Sequence, residues 1–491
     1  MIARLALASA PALMAALALA LDALFPPPLA RPGGDGAIIE DRNGAPLYAF
    51  AAPDGRRRLP ADLDAIDPTF VSRLIAIEDK RFRRHGGVDP GAIVRAAASN
   101  VRARRIVSGA STITMQTARL LEPRPRTPGA KLIEAFRAWQ LERRLTKDAV
   151  LERYLTLAPY GGALEGVRAA SLAYFGKEPA RLSDAEQALL IALPQAPEAR
   201  RPDRRPDAAR AARMRILSRL RALGFIDEDR AAAAAQAPIP QEVRAFPDRA
   251  YHAAYAEFIR RSRGAAPRRL TLDAGMQAAA ERVAARYAAQ ADDGANVSVL
   301  IVESATRAVR AHVGAAARAQ PGGWIDLTRA VRSPGSTLKP LIYALAFDSG
   351  LARADTILID APRPFGDYAP ANFDGAFRGA VPLADALRHS LNVPAVATLD
   401  RVGAARLENT LTASGLPVRR ADRDAPGLAL ALGGAGLRAV DLATLYAALA
   451  DDGVVAPLRP RVGEARDAAR ACNGPRINSP VAARAQAELR G

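Results

Sequence analysis

Behind Arg4 the chain opens with an uncharged apolar run, residues 5–21 (LALASAPALMAALALAL), which can be extended to Phe25. About twenty such residues suffice to cross a bilayer, so an uncleaved membrane anchor is expected over residues 1–28. A cleaved signal peptide ending near Ala18-Leu19-Ala20 is the other reading. Either way the rest of the chain leaves the cytoplasm, and Arg4 on the short inner side agrees with that orientation. Two short alternating runs, Ile38–Glu40 and Leu47–Phe50, flank Asn43-Gly44 and predict a hairpin. From Pro68 the apolar residues return every three or four positions. The runs Phe70–Ile77, Ala92–Val101 and Leu132–Leu157 therefore predict helices, the last broken in two with Thr146 capping the second part. This first unit is expected over residues 29–197. The stretch 198–210 (EARRPDRRPDAAR) is charged and broken by proline, and with a basic helical stretch (Ala211–Leu223) and the Ala/Pro-rich Ala231–Pro240 after it predicts a linker over residues 198–268. A helix over Ala274–Gln290 and a hairpin, Asn296–Glu303 with Ala308–Val313, then open a mixed α and β unit over residues 269–491. No internal repeat is present.

Composition narrows the choice of partners. At 491 residues with 49% apolar and 24% charged positions, the chain is an ordinary globular sequence of several domains. Its net charge of +18 calls for an anionic membrane surface, an anionic substrate or nucleic acid. Nucleic acid is disfavoured, because only 5% of residues are aromatic and no zinc-finger, RRM-like or homeodomain-like pattern occurs. Of the 69 basic residues 64 are arginine, so the five lysines (Lys80, Lys131, Lys147, Lys177, Lys339) mark positions where a compact or deprotonatable ammonium is wanted. Cys472 is the only cysteine, and the four histidines show no ligand spacing, so no intrachain disulfide and no His/Cys metal site are expected.

Chemistry concentrates first in Glu78–Asp89 (EDKRFRRHGGVD), where adjacent carboxylates, four cations, His85 and a Gly-Gly bend fall within twelve residues. A small-residue and hydroxyl loop follows at 109–116 (GASTITMQ), with Arg119 beyond it; small residues let a backbone approach a bulky ligand. Lys131 and Glu134 share a helix face, and Glu152 stands in the next helix. Two separated carboxylates with several cations suit attack by a hydroxyl on a carbon bearing a phosphate leaving group: one carboxylate takes the proton and the cations hold the departing charge. For Asp79 and His85 a structural role, with the histidine hydrogen-bonded to a loop, is the stronger reading. Glu152 has the competing reading of a helix-face ion pair with Lys147 or Arg153.

In order, Glu78-Asp79-x-x-Phe82-x-x-His85-x-Gly87, Gly109-Ala110-Ser111-Thr112-Ile113-Thr114-x-Gln116, Lys131-x-x-Glu134 and Leu151-Glu152-x-Tyr154-Leu155 resemble the peptidoglycan glycosyltransferase domain of class A penicillin-binding proteins. Met115-Gln116, Ala118-Arg119-Leu120-Leu121 and Leu193-Pro194-Gln195-Ala196-Pro197 look most like the 1C type. The resemblance implies a mainly α-helical, lysozyme-like domain acting on lipid II and lipid-linked glycan at the bacterial inner membrane, single-pass, with the bulk of the chain in the periplasm. Carried over by position, Glu78 is the general base and Glu134 the second essential carboxylate. Lys131 and Arg119 lie near the pyrophosphate, Ser111, Thr112 and Gln116 line the sugar cleft, and Glu152 is a further substrate-binding candidate. A divalent cation such as Mg²⁺ at the pyrophosphate is compatible with this chemistry, though no ligand set in the sequence demands one. Other proteins of the wall-building machinery are further candidate partners. The sequence departs from the family where Ala130 precedes Lys131 and where Thr156 replaces an asparagine. A lytic glycan hydrolase of similar architecture, or a non-catalytic scaffold, remains the alternative.

The second constellation is Ser336-Thr337-Leu338-Lys339, ahead of an apolar helix, joined by Ser390-Leu391-Asn392. A serine at a helix start with a lysine one turn on places an ammonium beside a hydroxyl, and a neutral lysine can take its proton. These two elements resemble the transpeptidase domain of the same family over Arg269 to about Pro460, an α/β fold of the penicillin-binding and β-lactamase type. The resemblance implies acylation of Ser336 by stem peptides or β-lactams, with Lys339, Ser390 and Asn392 as its catalytic companions. The third element of the set, Lys-Thr/Ser-Gly on a strand, is absent from the sequence. The domain is therefore expected to be incomplete, with transpeptidase activity impaired.

Overall fold

The structure, a computed structural model, describes residues 16–31, 34–103, 111–125, 127–264, 269–291, 295–320, 322–420, 427–451 and 453–464. The chain divides into two compact units, Met1–Ile38 with Ala49–Pro247, and Ile39–Tyr48 with Asp248–Gly491. Most of the apolar run expected as an anchor, and the residues 465–491, lie outside the described residues. Among the described residues no helix is long and apolar enough to cross a membrane.

The described part of the first unit begins with a helix over residues 16–24, α1. Its leucines are exposed, but Asp22 is buried and accepts from Gln140 Nε2 at 2.9 Å and from Arg144 Nη1 at 2.5 Å. The predicted hairpin is β1 (Ala37–Glu40) and β2 (Pro46–Phe50). Asp41 closes the turn by accepting from Asn43 N and Ala45 N, each at 2.8 Å, and Gly44 takes φ 87°, which glycine adopts without steric cost. After β3 (Arg57–Arg58) come α2 (Pro68–Glu78), α3 (Pro90–Ala103), α4 (Ile113–Leu121), α5 (Pro128–Glu142) and α6 (Lys147–Leu157).

The starts of these helices are written in the sequence. Asp67, Thr112, Thr127 and Thr146 each accept from a backbone N–H of the first turn, and Pro68 and Pro128 supply the fixed φ of that turn. Strands β4 (Pro159–Gly161) and β5 (Leu164–Glu165) form a small sheet in the order β3-β5-β4, with β3 parallel and β4 antiparallel to β5. Then come α7 (Val167–Phe175) and α8 (Asp184–Ala192), the latter opened by a reciprocal cap between Ser183 and Glu186. Phe70, Leu74, Phe82, Leu151, Tyr154 and Leu155 lie at the centre of the core, all buried.

The expected linker is corrected here. Within 198–268, α9 (Pro206–Ala222) and α10 (Glu228–Gln236) pack on α8, and Ala209, Ala212, Ile216, Leu217 and Leu220 join the first unit's core. The helical unit thus runs past Pro197 to Pro247. Arginine and alanine dominate this stretch and mask its narrow apolar stripe, although positions 209, 212, 216 and 220 keep helical spacing. Each fully buried leucine or isoleucine is worth about 1.5–3 kcal/mol. Buried Arg213 is accommodated because its guanidinium donates to the carbonyls of Ala235, Ala237 and Pro238.

The second unit contains α11 (Tyr251–Ser262), α12 (Ala274–Gln290) and the expected hairpin, β6 (Val299–Val302) antiparallel to β7 (Val309–Val313). The short strand β8 (Val331–Arg332) leads to a single helical turn, Gly335–Leu338, and to α13 (Lys339–Asp348). Then follow β9 (Ile357–Asp360) paired with β10 (Gly379–Pro382), α14 (Leu383–Arg388), α15 (Asn392–Val402), α16 (Ala404–Ala413), β11 (Leu437–Arg438) paired with β8, and α17 (Ala439–Leu449). Helix α13 is buried from Leu341 to Ala346 and packs on α15, which fixes the first turn of each helix relative to the other.

Candidate active sites

In the first unit Glu78 is the last residue of α2, partly exposed. Its Oε2 accepts from Gln116 Nε2 on α4 at 3.1 Å, and its Oε1 accepts from Gln195 Nε2 at 2.8 Å. Gln195 lies in the turn after α8, and its Oε1 accepts in turn from Arg200 Nη1 at 3.0 Å. Two buried tyrosines, Tyr154 and Tyr160, face this carboxylate. Burial first, and the charge of Glu78 second, push both phenols well above the ordinary tyrosine range. Arg119 on α4 is close enough to Tyr154 to oppose that shift, and among the described residues its side chain makes no hydrogen bond.

Asp79 and His85 form a structural pair. The imidazole Nε2 lies 2.9 Å from Asp79 Oδ2, and the same oxygen accepts from Ile113 N at 3.0 Å, tying the loop to the start of α4. Thr112 is buried, donating to Gly87 O at 2.6 Å and accepting from Met115 N at 3.1 Å, so both capacities of its hydroxyl serve the fold. Glu152 accepts from Leu63 N at 3.3 Å, and Lys147 binds Glu142 and the carbonyl of His85, so the ion pair of Glu152 with Lys147 does not form.

The other half of this site is built on α5. Lys131 Nζ donates to Glu134 Oε2 at 2.8 Å and to Ser111 Oγ at 2.7 Å, with Glu134 itself buried. Ser111 and Gln116 stand at and just inside the N-terminal end of α4, so one helix end ties the Lys131 cluster to Glu78. Gly109 and Ala110 of the same motif lie outside the described residues. The arrangement offers a carboxylate held by neutral donors, a buried carboxylate neutralised by a lysine, and an arginine whose donors make no hydrogen bond among the described residues. Among the described residues no three His, Cys, Asp or Glu side chains are placed to hold a metal ion.

In the second unit Ser336 is exposed on the single turn before α13, and among the described residues its hydroxyl makes no hydrogen bond. Lys339 is fully buried behind it. Its Nζ donates to Asn392 Oδ1 at 2.7 Å, to Ser390 O at 2.5 Å and to Ser390 Oγ at 3.2 Å. Burial lowers the Lys339 ammonium to about 8. Ser390 is held at φ 51°, a left-handed conformation that is uncommon for residues other than glycine and that costs of order 1–3 kcal/mol. A cleft of about 430 Å³ is lined by Ser336, Phe373, Arg378, His389, Ser390 and Asn392, so three of the four expected residues share one cavity and Lys339 backs it.

Three functional neighbours escaped the sequence reading, and a fourth was singled out without a role. Asn372 accepts from Asn392 N at 2.8 Å and donates to both oxygens of buried Asp360 at 2.9 Å, fixing the start of α15. Gln195 and Arg200 do the same for Glu78. Gln195 was part of a motif that marked the family type, but its contact with Glu78 bridges 117 positions and leaves no local signal.

A family model described as Transglycosylase matches residues 43–221, and one described as Penicillin binding protein transpeptidase domain matches residues 297–465. The chain is 39% identical to penicillin-binding protein 1C of Escherichia coli (strain K12) over 92% of its own length and 59% of that protein. It is 31% identical to penicillin-binding protein 1F of Bacillus subtilis (strain 168) over 84% of its length and 59% of that protein. It therefore spans about three-fifths of the length of these curated relatives. The crystal structure of penicillin-binding protein 1A from Haemophilus influenzae aligns with 86% of this chain and 69% of that chain, at 17% identity and a TM-score of 0.43.

Proposed function

The chain belongs to the class A penicillin-binding proteins, and from that membership we propose that its first unit is an inverting peptidoglycan glycosyltransferase polymerising lipid II outside the cytoplasmic membrane. The observation that carries the reading is the Glu78 carboxylate, gripped by one amide on each oxygen and joined through α4 to the Lys131–Glu134 pair. Glu78 takes the proton of the acceptor GlcNAc 4-hydroxyl, and that oxygen bonds to C1 of the donor MurNAc. The C1–O bond to undecaprenyl pyrophosphate breaks with inversion, its electron pair leaving on the phosphate, where Lys131 and Arg119 balance the charge. Glu134 holds Lys131 in place, and Ser111 and Gln116 border the sugars. Thr112 and Glu152 belong to the frame of the site. The apolar N-terminal segment anchors the chain, with both units on the periplasmic side of the inner membrane.

Lipid II and the purified full chain in detergent test this directly. Glycan strands are expected from the wild type, with a loss of about 10²-fold or more in Glu78→Gln. Release of soluble muropeptides from finished cell wall would instead establish a glycan hydrolase. An unaltered polymerisation rate in both Glu78→Gln and Glu134→Gln would leave a scaffold.

For the second unit we propose acyl-serine chemistry at Ser336: its oxygen bonds to the carbonyl carbon of a stem peptide or β-lactam, and the amide C–N bond opens. The 491 residues contain no Lys-Thr/Ser-Gly element, so on their own they are expected to acylate slowly. Fluorescent penicillin labelling of these residues that is rapid in the wild type and lost in Ser336→Ala would refute that slowness.

A further inference from the structure

We propose that Gln195, oriented by Arg200, is a positioning residue that holds the Glu78 carboxylate for proton abstraction; the inference rests on the reading of Glu78 as the general base. An arginine guanidinium only donates hydrogen bonds. The Gln195 atom 3.0 Å from Arg200 Nη1 is therefore its carbonyl oxygen, which turns the amide nitrogen toward Glu78 Oε1 at 2.8 Å. Arg200 is fixed from behind, because the same Nη1 donates to Ala192 O, the last residue of α8, at 2.7 Å. On the other side Gln116 reaches Glu78 Oε2 from α4. One donor alone would let the carboxylate rotate about its terminal bond. Two donors from two separate elements fix its plane.

The order of these three groups matters chemically. A guanidinium set directly on the base would form an ion pair and compete with the incoming proton. Here a neutral amide stands between the cation and the base. Arg200 polarises the amide through its oxygen, strengthening the N–H donated to Glu78, while the charge stays one residue away. Among the described residues, the other titratable or charged groups near Glu78 are Tyr154 and Tyr160, with Arg119 beside Tyr154, Arg215 beside Arg200, and Arg219 of α9, which donates to the Ile77 carbonyl at 3.2 Å.

The test is the pH dependence of lipid II polymerisation by the full chain and four variants: Gln195→Leu, Gln195→Glu, Arg200→Met and the Gln195→Leu/Arg200→Met double. Gln195→Leu is expected to lower kcat about tenfold with KM changed less than about twofold, and to move the acidic limb of the profile upward by roughly one pH unit. Gln195→Glu moves the limb further, since neighbouring carboxylates resist ionising together. The double variant is no worse than Gln195→Leu if Arg200 acts through the amide. Position 195 is exposed, so thermal unfolding of the single Gln195 variants is expected to match the wild type. Wild-type acidic limbs in both Gln195 variants, with Glu78→Gln inactive, would overturn the positioning role and leave the glycosyltransferase reading intact. So would effects of Gln195→Leu and Arg200→Met that simply multiply. An active Glu78→Gln variant would overturn the general-base reading, and the positioning role with it.

Discussion

Lys131 and Glu134 are joined at 2.8 Å one turn apart on α5, with the carboxylate buried and the ammonium half-exposed and also bonded to Ser111. The pair presents a compact cation whose charge is only partly spent. Arginine, which this chain uses almost everywhere else, would place a planar fork in that position. Lys131→Arg is therefore expected not to rescue Lys131→Met, with both losing about 10²-fold in initial polymerisation rate. Measured rates within about twofold of the wild type in Lys131→Arg would show that only the charge matters.

His85 and Asp79 anchor the start of α4. His85→Ala removes a partner from a buried carboxylate and is expected to cost about 1–3 kcal/mol of stability. Thermal unfolding would show the loss, while polymerisation at low temperature stays within a few-fold of the wild type. A fully stable but inactive variant would reassign the histidine to catalysis.

Burial brings Lys339 down to about 8. A lowered lysine value means that the neutral amine, the form able to take a proton, becomes available as pH rises through 8. Acylation of Ser336 by a labelled penicillin is therefore expected to climb roughly tenfold between pH 7 and pH 9 and then level off. A rate that is flat or falls over this range would remove Lys339 as the base.

Asn372 couples buried Asp360 to the backbone of Asn392. Asn372→Leu takes the donor from Asp360 Oδ1, leaves Asp360 Oδ2 with Arg378 N alone and strips Asn392 N of its acceptor, so a loss of about 2–4 kcal/mol in stability is expected. Penicillin labelling should fall about tenfold or more, because Asn392 also holds Lys339. Labelling unchanged beside a lowered Tm would confine Asn372 to the fold.

Helices α2, α3, α5 and α6 were legible because their caps and three-and-four spacing are local properties, whereas residues 113–116, expected as loop, form the first turn of α4. Thr146 before α6 and Pro68 at the start of α2 each announce an element within four residues. Helix α9 was legible as a basic helical stretch over Ala211–Leu223, but its place in the core was not, because alanine and arginine carry little hydropathy signal and its stripe acts only once α8 is packed against it. The site divided in the same way. Glu78, Lys131 and Ser336 stand in compact motifs, whereas Gln195 gains its role from a contact with Glu78 across 117 positions and Asn372 from one with Asn392 across 20.

The buried carboxylate of Asp22 bears on how α1 is held against the first unit. Leu17, Leu19 and Leu24 project outward from α1 while Asp22 is bonded to Gln140 and Arg144 on and just beyond α5. A plain apolar helix can roll about its long axis at almost no cost. One acid locked into the protein sets that roll angle.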